Sequence, residues 1–427
     1  MKTYWAPFLH FYQPPTQDYH ILKEINDTCY EPIFNMLLEN VDYKITFNVN
    51  SILLDLLMDH GLEHTISLLK ELVQKNQVEL VGTGKFHPIL PLIPKKEIAH
   101  QIALQEKDLQ KYCNYNTIRG FFPPEMAISQ SIVSLLSRRD YTWVICSGIA
   151  CSGEWAYDSI YQSPEGFYLF FRDDVISNEI SFKKISVDFF LEKIKVLYDS
   201  SHYIITAQDG ETFGHHIQNY ERSFLQKVLE GAIEDQEIGL CHISDLINIF
   251  PVKQKIKIIP SSWSTDQRDL DYNVPFPLWN HPDNDVHRIQ FKFLKVVVEL
   301  INLLENGNVE LEVQEARTAR YFLDQGLHSC QFWWASGRPM WSPNMILKGA
   351  ELLLRAAFNA RLAIIDNVST NHGLSESEEL FDQITQYYSL LLMEITNMEQ
   401  KISGKKNSGD LFLETMFLED DEENEKT

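Results

Sequence analysis

Residues 202–211 read HYIITAQDGE: an apolar, β-branched run that ends abruptly in Gln208, Asp209, Gly210 and Glu211. A continuous apolar run of this length is what a strand buried on both faces looks like, which is the usual state of a strand in a parallel sheet. Six other stretches share the form: YWAPFLHF (4–11), KITFNVN (44–50), VELVGTG (78–84), IRGFFPPE (118–125), TWVICSG (142–148) and FYLFFRDD (167–174). The segments between most of them carry helical spacing, as in SILLDLLMDHGLEHTISLLKELVQKN and KKEIAHQIALQEKDLQKYC. Strand, helix, strand repeated with few hairpin signals predicts a parallel sheet covered by helices. Each strand turns polar at its end: His10 and Gln13, Asn48 and Asn50, His87 just beyond, Glu125, Ser147, Arg172 with Asp173, and Asp209 with Glu211. In (β/α) barrels the functional groups gather at the C-terminal strand ends. The expected fold is therefore α/β, an incomplete, TIM-like (β/α)7 barrel. IGLCHIS (238–244) is an eighth candidate that completes or flanks it.

The pattern changes near residue 285. Segments 287–305, 312–326, 343–365 and 374–401 read as long amphipathic helices, and Pro343 stands near a helix start, where proline is tolerated. These predict a C-terminal helical bundle. The expected division is a barrel over 1–285, a bundle over 286–403, and a linker (GKKNSGD, 404–410) leading into an acidic, solvated tail that ends the chain at 427.

Composition narrows the function. The formal charge of −23 repels phosphate backbones, so nucleic acid is not an expected partner, whereas neutral sugars are compatible with it. No run of 18 apolar residues offers a membrane span. The start, MKTYWAPFLHF, reads as a buried strand rather than a signal peptide. The 6 cysteines form no C-x-x-C pair and imply no disulfide framework, which suits a cytoplasmic protein. The sequence specifies no oligomeric state.

Cleaving a glycosidic bond takes two carboxyl groups. In a retaining enzyme one attacks the anomeric carbon and the other protonates the leaving oxygen. Glu125 ends an apolar strand behind the stiffening Pro123 and Pro124; its structural alternative is a carboxylate at a helix N-terminus. Asp209 ends another strand, with Glu211 beside it. Repulsion between the two raises the pKa of one, which suits a general acid. Its alternative is a cap for the following turn. Gly210 and Gly214 allow a turn close to a ligand. His10, Tyr12 and Gln13 cluster in HFYQPP; His87 follows two glycines in VGTGKFHPILPLIP; both suit a sugar pocket, and both are also explained by a satisfied core histidine and plain turn chemistry. CQFWWASGRPMW (330–341) sets Gln331 beside Trp333 and Trp334, which cannot share one helix face, so one of them is free for a groove or both serve packing. SSWSTDQRDLDYNVPFPLWN (261–280), which contains Trp263, is long enough for a lid.

Together these segments resemble glycoside hydrolase family 57, over about residues 4–345. HFYQPP (10–15) matches its first motif, GTGKFHPILPL (82–92) the second, PPE the third, QDGETFG the fourth and SCQFWWASG (329–337) the fifth; FRDDVISNEISF (171–182) resembles a further common segment. The resemblance implies a (β/α)7 barrel followed by helices and action on α-glucans, or in some members α-galactosides. It implies Glu125 as nucleophile and Asp209 as acid/base, without a metal or organic cofactor. His10, Tyr12, Gln13, His87, Arg172, Glu211, His215, Trp263, Gln331, Trp333 and Trp334 are then the substrate-binding candidates. Tyr12 stands where the family's first motif usually carries histidine, and only Gln331 stands near the aromatics of the fifth. Two other readings compete. One is a metal-dependent, deacetylase-like enzyme, for which His60 and His64 have helical metal-ligand spacing. The other is a non-catalytic glycan-binding protein.

Overall fold

The structure is a computed structural model; it describes residues 2–196, 200–307, 313–338, 340–367 and 371–408. Its contacts divide the chain into residues 1–276 and the residues from Pro277 onward, against an expected boundary at 285–286.

The first unit is built on β1 (Thr3–Phe11), β2 (Ile45–Val49), β3 (Val78–Leu80), β4 (Gly120–Phe121), β5 (Trp143–Cys146), β6 (Ile160–Gln162), β7 (Tyr168–Phe171), β8 (His202–Asp209), β9 (Ile238–Leu240) and β10 (Val252–Lys255). All seven expected strands are present and parallel. β8 pairs with β1, β1 with β2, β2 with β3, β4 with β5 and β5 with β7. Gly82 carries the sheet from β3 to β4: its N–H donates to the Gly120 carbonyl at 2.9 Å, and Phe122 N–H donates back to it at 2.8 Å. The ring closes at Asp173 N–H, which donates to the Ile205 carbonyl at 2.9 Å. On this side Tyr203 N–H goes to the Tyr157 carbonyl instead of to β7, so the barrel has a seam there. A small aromatic crevice lies in that seam, lined in part by Trp155, Tyr157, Tyr161 and Tyr203. The eighth candidate forms β9 and flanks the barrel along the first residues of β1. The sequence did not signal β6 and β10: β6 lies antiparallel to β7, and β10 parallel to β6.

Side chains alternate along each strand. Ala6, Phe8, Val81, Phe122, Trp143, Ile145, Phe170, Ile205 and Ala207 pack as one apolar cluster inside the ring. Leu9, Phe11, Phe47, Val49 and Ile204 pack outward in the cluster that holds the helix residues Leu53, Leu57, Leu69 and Leu109. The inward positions that follow, at the C-terminal rim, are His10, Arg172 and Asp209. The segment expected as one helix around His60 breaks at Gly61 (φ +73) into helices Ser51–Asp59 and Glu63–Gln74.

The second unit has helices Asp285–Asn306, Gln314–Gly326, Cys330–Trp333, Pro343–Asn367 and Asn371–Ser408, with Pro343 as the first residue of its helix. The last helix runs through the first residues of 404–410, expected as a linker. The rest of that linker and the acidic tail lie outside the described residues. Among the described residues no helix is long and apolar enough to cross a membrane.

Candidate active site

Glu125 sits in a turn that few residues adopt. Two prolines lead into it, and Glu125 (φ +59, ψ +19) and Met126 (φ +49) are both left-handed. The turn is pinned by Met126 N–H to the Pro123 carbonyl (2.7 Å), and by Trp263 N–H to the Glu125 carbonyl (3.1 Å). The following helix starts only at Gln130, after Ser129, so Glu125 is not the helix-terminal carboxylate that the sequence left open. Its Oε2 accepts from Trp263 Nε1 at 2.8 Å, and its Oε1 lies 3.7 Å from His87 Nδ1. Burial first, then repulsion from Asp209, push the Glu125 carboxyl up to about 8; the Trp263 bond opposes this.

Asp209 ends β8 opposite His10 in the β1 ladder. Its side chain makes no bond to the following turn, so the capping alternative does not describe it. Burial raises Asp209 to about 6 against the pull of the Arg172 guanidinium. Arg172 is itself buried. It donates to Asn178 Oδ1 at 2.5 Å, lies 3.7 Å from Asp174 Oδ1, and its guanidinium stands 5.5 Å from the Trp263 ring centroid. Asp173 points elsewhere: it caps the helix Asp174–Asn178 through Ile176 N–H and accepts from the Tyr157 hydroxyl.

Glu211 is buried beside Asp209. Its Oε1 accepts from Gln13 Nε2 at 3.0 Å and from the Tyr30 hydroxyl at 2.5 Å. Burial and then Asp209 lift its carboxyl to about 8. Gln13 also donates to the Tyr30 oxygen at 2.9 Å and accepts from Gln17 at 2.6 Å. Tyr30 belongs to the site although nothing in NDTCY marks it; it lies 181 residues from the carboxyl it holds.

The histidines form a stack. Tyr12 lies on His87 (centroids 4.0 Å, planes 13° apart), His87 on His10 (4.9 Å, 21°) and His10 on Phe122 (4.7 Å, 25°). His10 Nδ1 stands 2.7 Å from Asn48 Oδ1, and burial pushes the imidazole down to about 4. A neutral ring that donates from Nδ1 keeps its lone pair on Nε2, so His10 is an acceptor toward the pocket.

The structure thus brings His10, Tyr12, His87, Glu125, Arg172 and Trp263 into one group, with Asp209, Glu211 and Gln13 joined to it through the β1–β8 edge. His215 is half-buried in the turn beyond, with its ring 5.5 Å from His216. In the second unit, Gln331 is buried and donates to the Gly326 carbonyl at 2.5 Å, while half-buried Trp333 and Trp334 meet edge to face at 4.9 Å. The 261–280 segment, expected as a lid, is tied at its start to the strand-end turn by Ile128 N–H to the Ser261 carbonyl at 2.9 Å. His60 closes one helix and His64 faces Glu31 at 3.8 Å on the surface. Among the described residues no three His, Cys, Asp or Glu side chains are grouped to hold a metal ion.

The description "Glycosyl hydrolase family 57" belongs to the family model that matches residues 5–259. An alpha-amylase of Pyrococcus horikoshii is 26% identical over 317 residues, which is 70% of this chain and 47% of that protein. A 4-alpha-glucanotransferase of Thermococcus kodakarensis is 25% identical over 289 residues, 63% of this chain and 43% of that protein. The chain thus spans less than half the length of either relative. The crystal structure of a GH57-type branching enzyme from Pyrococcus horikoshii superposes with a TM-score of 0.70 at 14% identity, covering 92% of this chain and 97% of that one.

Proposed function

Because the chain belongs to glycosyl hydrolase family 57, we propose that it is a retaining glycosidase or transglycosylase of α-glucans, with Glu125 as nucleophile and Asp209 as acid/base. The observation that carries this is the pair itself. Two carboxyl groups from opposite parts of the barrel rim act on each other electrostatically, with an indole donor on Glu125 and a guanidinium acting on Asp209. The alpha-amylase and glucanotransferase names of the relatives support an α-glucan as substrate. The catalytic part is residues 1–285 and the helical part 286–403.

In the reaction, the Glu125 carboxylate attacks the anomeric carbon as the glycosidic bond breaks, and Asp209 gives its proton to the leaving oxygen. Asp209, now ionised, takes a proton from water or from a sugar hydroxyl. That oxygen attacks the same carbon and releases Glu125, giving hydrolysis or transfer with net retention. His10 accepts from a sugar hydroxyl through Nε2. Glu211, with Oε1 occupied by Gln13 and Tyr30, offers its other oxygen to a second hydroxyl. Tyr12 caps the ring stack as a platform for a pyranose face.

The test is incubation with maltoheptaose, following products by chromatography and their anomeric form by NMR, for the wild type, Glu125→Gln and Asp209→Asn. A product ladder of retained configuration that both variants lose supports the reading. Inverted products, or products that the substitutions leave unchanged, sink it.

A further inference from the structure

We propose that His87 is the positioning residue of the nucleophile: seated between Tyr12 and His10, it holds the Oε1 side of Glu125 while Trp263 holds Oε2, and so fixes the oxygen that attacks. This rests on the reading of Glu125 as nucleophile. His87 is fully buried and left-handed at φ +58, with its N–H bonded to the Gly84 carbonyl at 3.0 Å. A non-glycine residue in that region costs on the order of 1 kcal/mol and persists only where its surroundings hold it. Here the ring plane is fixed by Tyr12 and His10. Glu125 is left-handed too, so two strained residues from different loops meet at one contact, Nδ1 to Oε1 at 3.7 Å. With Trp263 on Oε2, the carboxyl is flanked at both oxygens.

The other charged groups nearby are engaged. Arg172 interacts with Asp209, Asp173 and Asp174. Lys85, two residues before His87, is held between Asp55 and Asp108 at 2.6 Å each. From β1, His10 stays neutral as donor to Asn48, and Tyr12 brings only a phenol. His87 is thus the polar side chain that faces Oε1, opposite the indole on Oε2. Contacts of this kind are commonly long in the free enzyme and tighten with substrate.

The test pairs His87→Asn with azide rescue. Asparagine tolerates the left-handed backbone but lacks the ring that Tyr12 and His10 hold in plane against Oε1. On a 4-nitrophenyl α-maltooligosaccharide, His87→Asn is expected to lower kcat by about 10–100-fold, with KM changed by less than about threefold. In Glu125→Ala, azide replaces the carboxylate and yields a glycosyl azide of inverted configuration. Adding His87→Asn to that variant should lower the azide rate by a smaller factor than it lowers kcat in the otherwise wild-type enzyme, because His87 acts chiefly through Glu125. A kcat near that of the wild type in His87→Asn overturns the proposal, as does an azide rate that falls by the same factor as kcat. Wild-type turnover that Glu125→Gln abolishes and His87→Asn leaves intact sinks this assignment alone. No turnover by the wild type on either glucan or aryl substrate sinks the parent reading with it.

Discussion

Glu125 and Asp209 share a titration rather than owning one each. Burial raises both, and their repulsion means that over the range between about 6 and about 8 the pair holds a single proton. Retaining chemistry needs that state, with the proton on Asp209. The free-enzyme profile of kcat/KM is therefore expected to rise near pH 6 and fall near pH 8. Trp263 biases where the proton sits, because an N–H at 2.8 Å favours the ionised carboxylate. Trp263→Phe should lower kcat/KM by about 10-fold or more, the loss of one bond to a charged group, and move the limb near 8 upward, because the indole bond is what holds Glu125 down. A profile measured from about pH 5 to about pH 9 checks both, and an unmoved limb would show that the indole serves packing alone. That Glu125 and Asp209 stand at the rim was legible in the sequence because each residue follows an apolar strand. The groups that tune it were less so. Tyr30 reaches Glu211 from a helical turn, and the Tyr12–His87 stack depends on a left-handed histidine that no local pattern announces.

Glycine sets how closely the strands and turns that place these groups pack. Gly210 was expected to let the chain approach a ligand. A side chain there would instead meet the Phe11 ring at 2.2 Å, so the residue is small because β1 lies directly behind the turn that carries Asp209 and Glu211. Gly210→Ala should push that turn off its seat, costing about 1–3 kcal/mol of stability and lowering kcat by more than KM changes. Thermal melting together with steady-state kinetics checks this, and a variant with wild-type values for both would refute it. The seven parallel strands were readable because burial on both faces makes them continuous apolar runs. β10 was not readable, since all four of its residues are exposed, and β6 is only three residues long, between β10 and β7. The helix break at Gly61 escaped for a related reason: the apolar spacing of Leu53, Leu57 and Leu68 continues across a glycine that redirects the backbone.

At the scale of the molecule, the site is a liability to the fold. Glu125 and Glu211 both titrate near 8, against an ordinary value of 4.5. The folded state therefore holds protons that the unfolded chain has already released. The stability contributed by these two groups is fully present below about pH 4.5, is lost as pH rises toward about 8, and changes no further above that. The same desolvation that raises the proposed catalytic pair thus works against folding in the range where the proposed activity is expected. Removing one of these charges should reverse the trend. Glu125→Gln is expected to raise the melting temperature by a few degrees near pH 9, where the wild type buries an ionised carboxylate, and to change it little near pH 5, where that carboxyl is protonated. Calorimetry at the two pH values decides the matter. A shift of equal size at both would mean that the amide acts through packing rather than charge. A loss of stability at both would mean that the bonds to Trp263 and the contact with His87 stabilise the folded barrel more than the buried charge opposes it.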